Sequence, residues 1–214
     1  MSRPKGDAGK RLLDAARALA REKGCAGISV RDICRRAKVN TGLFHYHFKS
    51  RRAFVERIME DTYADFFSRL TVSADGPGTA AERLRRTLRA IALFSRENRR
   101  LYAGMLRDAL NGDTQTARFA ASHFPRHIPI ILGLVAEGCR AGEFRDLPEP
   151  MAMSYMMGVL STPILVVTLL EDHGAKRPLG RSMADFADQL LSDRAIETRV
   201  DMILAGLARP RRRA

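Results

Sequence analysis

From Gly9 to Ala208 apolar residues return every three or four positions, and no stretch alternates in twos between turn signals. That period belongs to helices with one buried face, so the chain is expected to be all-α, with about nine helices. The punctuation agrees. Leu12, Leu13, Ala16, Leu19 and Ala20 share a face that Gly24 closes, and Ser29 with Asp32 reads as a capping box opening a short helix over Val30–Ala37. Asn40 suits the N-cap of another short helix starting at Thr41, and Ser50 that of a long one bearing Phe54, Ile58, Thr62 and Phe66. Residues 73–78 make a linker, and Thr79 with Glu82 opens a helix that turns Leu84, Leu88 and Ile91 inward. Asn98 marks a break before a helix closed by Asn111-Gly112, and Pro125 and Pro129 predict a kink in a long segment over 114–141. Two apolar helices end the chain, about 149–172 and an unbroken 182–208.

Charge divides this array. The net charge of +13 is concentrated in residues 1–52, which carry an excess of ten positive charges, and in the arginine tail 209–214, which carries four; residues 53–208 are nearly neutral. The expected organisation is therefore a basic head over 1–52, a helical body over 53–208 and a basic tail over 209–214. Cys25, Cys34 and Cys139 form no C-x-x-C pair, and the N-terminus has no apolar signal core, so a reducing cytoplasm is the expected location.

The basic head contains SVRDICRRAKVNTGLFHYHF, residues 29–48. Two short helices joined by three residues in a cationic segment form a helix-turn-helix, whose second helix fits the major groove of duplex DNA. Such a site needs cations and donors on the phosphates for affinity, and a few side chains on base edges for specificity.

Residues 9–60, with LLDAARALAREKG, SVRDI and VNTGLFHYHFKSRRAF, resemble the DNA-binding head of the TetR family of bacterial transcriptional regulators. The resemblance places Arg31, Thr41 and Gly42 where family members read bases. It places Ser29, His45, Tyr46, His47, Lys49 and Arg51 at phosphate-facing or helix-orienting positions. His45 stands where Tyr is usual, and Lys38 stands where Gly is common in the turn, a positive φ there costing about 1 kcal/mol. The resemblance implies a larger helical C-terminal domain that binds an unidentified small-molecule effector and dimerises through helices 149–172 and 182–208. It also implies a palindromic operator on double-stranded DNA, repression, and a ligand that shifts the long helix to release the operator. Phe66, Met105, Phe119, His123 and His127 are candidate lining residues, although a core would look the same.

Duller readings stand beside these. His45 and His47 lie two apart and do not share a helix face, and Pro125 disturbs the spacing of His123 and His127, so no metal is expected. The 21 uncharged residues from Pro150 could span a bilayer by length, yet they suit a helix buried by its own protein and a second subunit, so no membrane is expected. No hydrolase, nucleotide-binding or zinc-protease motif is present, so neither catalytic residues nor a cofactor are expected. A non-specific nucleic-acid-binding protein and a small helical anion-binding protein remain alternatives.

Overall fold

The computed structural model describes residues 5–23, 28–112, 117–118, 121–122 and 124–210. Ten helices are delimited among them, with no strand beyond one isolated bridge between Phe144 and Ala208. The expected all-α class holds. The chain divides into two compact units, residues 1–65 with 98–117, and 66–97 with 118–214. The boundary between the units falls inside the long helix Arg51–Asp75.

The first unit holds α1 (Lys5–Lys23), α2 (Val30–Ala37), α3 (Thr41–His47), the opening of α4 (Arg51–Asp75) and α6 (Arg99–Leu110). Leu12, Ala16 and Leu19 of α1 are buried with Ile33, Cys34 and Ala37 of α2. Phe54 and Ile58 continue that core on α4, and Leu101 and Met105 do so on α6, which packs on α1. Removing each such side chain from water contributes roughly 1.5–3 kcal/mol. Polar contacts accompany this packing: Arg11 Nη1 donates to the Ala37 carbonyl at 3.2 Å, Arg36 pairs with Glu22 at 2.7 Å, and Asp61 of α4 takes both Arg17 of α1 (3.1 Å) and, along its own helix, Arg57 (3.0 Å). Burial pushes the Cys34 thiol up and so suppresses its thiolate; Cys25 lies outside the described residues.

The second unit holds the end of α4, then α5 (Ala80–Glu97), α7 (Ile128–Arg140), α8 (Glu149–Asp172), α9 (Met183–Leu191) and α10 (Asp193–Leu207). The capping box at Thr79 is formed, its N–H reaching Glu82 Oε2 at 2.9 Å and its hydroxyl receiving the Glu82 N–H at 3.2 Å. α5 packs on α7, α8 and α10, burying Leu84, Leu88 and Ile91 with Ile131, Leu134, Val200 and Ile203. On its outer side Arg85, Arg89 and Arg96 pair with Asp201, Glu197 and Asp193 of α10. Gly206 lets α10 approach α8 closely: a Cβ there would lie 2.2 Å from the Tyr155 hydroxyl, which donates to the Met202 carbonyl at 2.9 Å.

One expected helix is corrected. The 182–208 helix breaks at Ser192, whose φ/ψ of −60/157 is extended and whose hydroxyl receives the Ala195 N–H. Beyond the break the apolar spacing resumes at Ile196, Val200, Ile203 and Leu207, which is why the two pieces read as one helix. Over 114–141, the described residues 117–118 and 121–122 are helical, and a 3₁₀ turn at Phe124–His127, at the expected interruption, precedes α7, with Pro129 in the first helical turn where a missing N–H is harmless.

α8 shows two faces. Ala152, Met156, Leu160, Ile164 and Val167 form a stripe buried in the unit, while Met151, Val166 and Leu169 are exposed, as is Met202 on α10. By length and composition α8 could cross a membrane, with a mean hydropathy of 1.8, and 28% of its most apolar stretch is buried in the chain.

Candidate nucleic-acid interface and ligand groove

The first half of the helix-turn-helix is built by local hydrogen bonds. The Ser29 hydroxyl receives the Asp32 N–H at 3.1 Å and donates to the Asp32 carboxylate at 2.6 Å, so Ser29 orients α2 as its cap. α2 ends at Lys38, in the left-handed region with φ 54 and ψ 47. The N–H groups of Lys38 and Val39 turn back to the carbonyls of Arg35 and Cys34 at 3.3 and 3.0 Å, a Schellman closure made by a residue with a Cβ. Asn40 Oδ1 then receives the Leu43 N–H at 2.8 Å and opens α3.

α3 has seven residues, too few to persist alone, and an aromatic cluster holds it. Phe44 is fully buried and meets Phe54 edge-on at 4.9 Å between ring centroids, and Phe48 meets Phe54 at 4.5 Å. With that face pinned, Thr41, Gly42, His45 and Tyr46 are exposed, Tyr46 at 74%, and Arg31 and Lys49 are exposed beside them. Gly42 has an ordinary φ, and a Cβ there would meet only Asn40 Oδ1, at 3.4 Å. Nothing among the described residues therefore requires glycine at 42.

His47 differs from its exposed neighbours. Its ring lies against Gly9 of α1, where a Cβ would fall 3.3 Å from Nδ1, and its Nε2 is buried without a hydrogen-bond partner. It orients α3 by packing, as Phe48 does, rather than facing outward. Ser50 caps α4, receiving the Ala53 N–H at 3.1 Å. Arg51 opens that helix, its side chain lying outside the described residues.

The family model for bacterial regulatory proteins of the tetR family matches residues 12–58, spanning every element just described from α1 into α4. Residues 12–58 are thus a TetR-type helix-turn-helix head, and the chain is a helix-turn-helix transcriptional regulator with this head as its DNA-binding part. The probable HTH-type transcriptional regulator YttP of Bacillus subtilis is 24% identical over 157 residues, covering 72% of this chain and 76% of that protein. FadR of Bacillus subtilis, solved with stearoyl-CoA, is 15% identical with a TM-score of 0.68 over 92% of this chain and 98% of its own. A protein of Saccharomonospora viridis solved with choline is 17% identical with a TM-score of 0.74 over 96% and 100%. At these identities the two structures establish the fold alone: the helical arrangement of those two proteins extends through the C-terminal helices of this chain.

In the second unit, one groove of about 390 Å³ runs between the end of α4 and α5. Phe66 and Phe94 stack along it at 4.4 Å with an interplanar angle of 17°, and His127 meets Phe66 edge-on at 5.7 Å. Burial pushes His127 down to about 4, so its imidazole is neutral at physiological pH. Arg69, Arg86 and Arg89 also line the groove, with Glu97 at the far end of α5. Of the five lining residues expected from sequence, Phe66 and His127 are brought together; Met105 is buried in the first unit, and Phe119 and His123 lie outside the described residues. Phe94 and the three arginines were missed. Their signal was the spacing of Arg86, Arg89, Leu93 and Phe94 on one face of α5, but which helix that face meets depends on a long-range pairing. A second recess of about 530 Å³, bounded by Lys176, Arg181, Asp185 and Asp188, carries charges of both signs and no apolar wall.

Proposed function

We propose that this TetR-family regulator binds a palindromic operator in double-stranded DNA as a homodimer and represses until a small-molecule ligand in the C-terminal unit releases it. The observation that carries the reading is the two-sidedness of α3: Phe44 and Phe48 hold its inner face, while Thr41, Gly42, His45 and Tyr46 stand free on a unit with a large cationic excess. Arg31 is assigned to a base edge, where guanidinium matches the two acceptors of guanine, and Lys49 and Arg51 to phosphates. Thr41 and Gly42 meet the groove floor, and His45 and Tyr46 its walls.

Dimerisation follows from arithmetic and from α8. One head reads too few base pairs to stand out against a genome, whereas two related by a two-fold axis read half-sites about 34 Å apart. The exposed Met151, Val166, Leu169 and Met202 supply apolar surface for a second copy, which is why α8 needs no membrane in this reading. Ligand release requires an effector that favours the conformation unable to fit the operator, since equal affinity for both would shift nothing. The stearoyl-CoA and choline found in the two solved relatives support a C-terminal small-molecule site. DNA recognition so described needs no metal or cofactor, and its setting is the cytoplasm.

The test is fluorescence anisotropy at physiological salt on a fragment selected from genomic DNA and on its scrambled counterpart. A preference of at least about a thousandfold for the selected fragment is expected. Equal binding to both would make the chain a non-specific nucleic-acid binder.

A further inference from the structure

The groove between the end of α4 and α5 is segregated by chemistry along its length. α4 and α5 are joined by the turn at 76–79, so Arg69 and Arg86 lie toward the turn and Phe66 and Phe94 away from it. At the helical rise, Arg86 and Phe94 are separated by about 12 Å along the axis. The cations differ in what occupies them. Arg89 is paired with Glu197, and Arg86 spends one Nη2 donor on the Pro77 carbonyl at 2.6 Å, leaving other donors of its fork. Arg69 is exposed and makes no ion pair among the described residues. At the apolar end the stacked Phe66 and Phe94 form the wall, and the neutral His127 backs Phe66 without adding charge.

From this arrangement we infer that the groove is a binding site for a single-chain amphiphile with a carboxylate head, the head held by Arg69 and Arg86 and the chain lying over Phe66 and Phe94. Guanidinium forks match a carboxylate with two parallel hydrogen bonds, and the aromatic wall removes the chain from water. Glu97 at the apolar end disfavours an anionic head in the reverse orientation. The volume lies toward the small end of ligand pockets, so a short or medium chain fits better than a long one. The inference rests on the ligand-responsive reading above and adds to it the place and the chemical class of the effector.

Isothermal titration of the full chain with decanoate, below its micelle concentration, tests it against three controls: acetate, decanol and decyltrimethylammonium. Decanoate is expected to bind at one site per chain, at least tenfold more tightly than each control. The Arg69→Gln, Arg86→Gln double variant is expected to weaken decanoate at least tenfold while leaving decanol unchanged, and Phe94→Ala to weaken both. Both arginines are exposed, so the melting curve should hold; if it does not, Arg69→Gln alone serves, with about threefold weakening expected. Equal binding of the cationic amphiphile or of acetate, or a variant that leaves decanoate unchanged, overturns the proposal. Operator selectivity is measured on the same sample. Selective DNA binding without decanoate binding retires the ligand class alone, whereas decanoate binding without DNA selectivity retires the regulator reading alone.

Discussion

Two aromatic clusters sit on the same long helix and do opposite things. Phe54, early in α4, closes over Phe44 and Phe48, and the cluster is consumed in holding a seven-residue helix to the head. Phe66, later in α4, stacks on Phe94 with one side still lining a groove flanked by arginines. The ring distances are similar, between 4.4 and 4.9 Å. Ring distance therefore does not separate the two clusters, although the rings meet edge-on in the head and stack in the second unit; what remains uncovered beside the rings does. In the proposed reading the head offers DNA the far side of the helix the rings hold, whereas the second unit offers a ligand the cluster itself.

Truncation should separate the two most strongly. Phe44→Ala removes a fully buried ring and should cost about 3–5 kcal/mol, abolishing DNA binding with the fold of the head. Phe94→Ala, at a half-buried ring, should cost less and leave operator binding intact. Chemical denaturation followed by anisotropy on DNA decides it, and equal losses at both positions would erase the contrast.

Acid should discriminate next. His127 has a folded-state pKa near 4, below its unfolded value, so the unfolded chain binds the extra proton between about pH 6.5 and 4. The second unit keeps this contribution above pH 6.5 and loses it as pH falls toward 4, by an amount on the order of 2–3 kcal/mol. Denaturation midpoints across that window should fall for the wild type and flatten in His127→Phe; identical slopes would mean the ring is solvated.

If the proposed dimer forms through α8, Leu169→Glu should weaken self-association by about 2 kcal/mol or more, roughly thirtyfold, by placing a charge in the exposed apolar surface assigned to the second copy. Sedimentation shows it, and an unchanged association constant would put the interface elsewhere. On DNA, Arg31→Ala should cost about 1–3 kcal/mol on the selected fragment and little on the scrambled one. Lys49→Ala should weaken both alike and make the salt dependence shallower. The smallest effect is expected at Lys38→Gly, which relieves the left-handed backbone and should stabilise the head by about 1 kcal/mol or less. A lower melting temperature there would mean that Lys38 makes a contact worth more than its strain.

What was legible in the sequence was whatever is written within a few residues. The caps at Ser29, Asn40, Ser50 and Thr79 form as their side chains dictate, and Lys38 adopts the positive φ that its place in the turn demands. The face of α3 could be sorted into held and free residues because its alternatives are only a turn long, with His47 the exception, claimed by a glycine on α1 far away in sequence. The break at Ser192 is marked in the sequence by the six-residue step from Leu190 to Ile196 and by Ser192 before Asp193 as a cap signal, but it is easily passed over because helical spacing resumes at Ile196. α6 belongs with the head because of its packing on α1, which no local pattern announces. The groove was least legible: apolar periodicity shows that a residue faces inward and not whether the interior is filled.

Guanine N7 lies in the major groove, so methylation interference reports on the placement of α3 directly. The account predicts that N7-methylated guanines in both half-sites block binding of the wild-type chain, and that part of this interference disappears in Arg31→Ala. Interference confined to phosphate ethylation, with guanine methylation neutral, would contradict it.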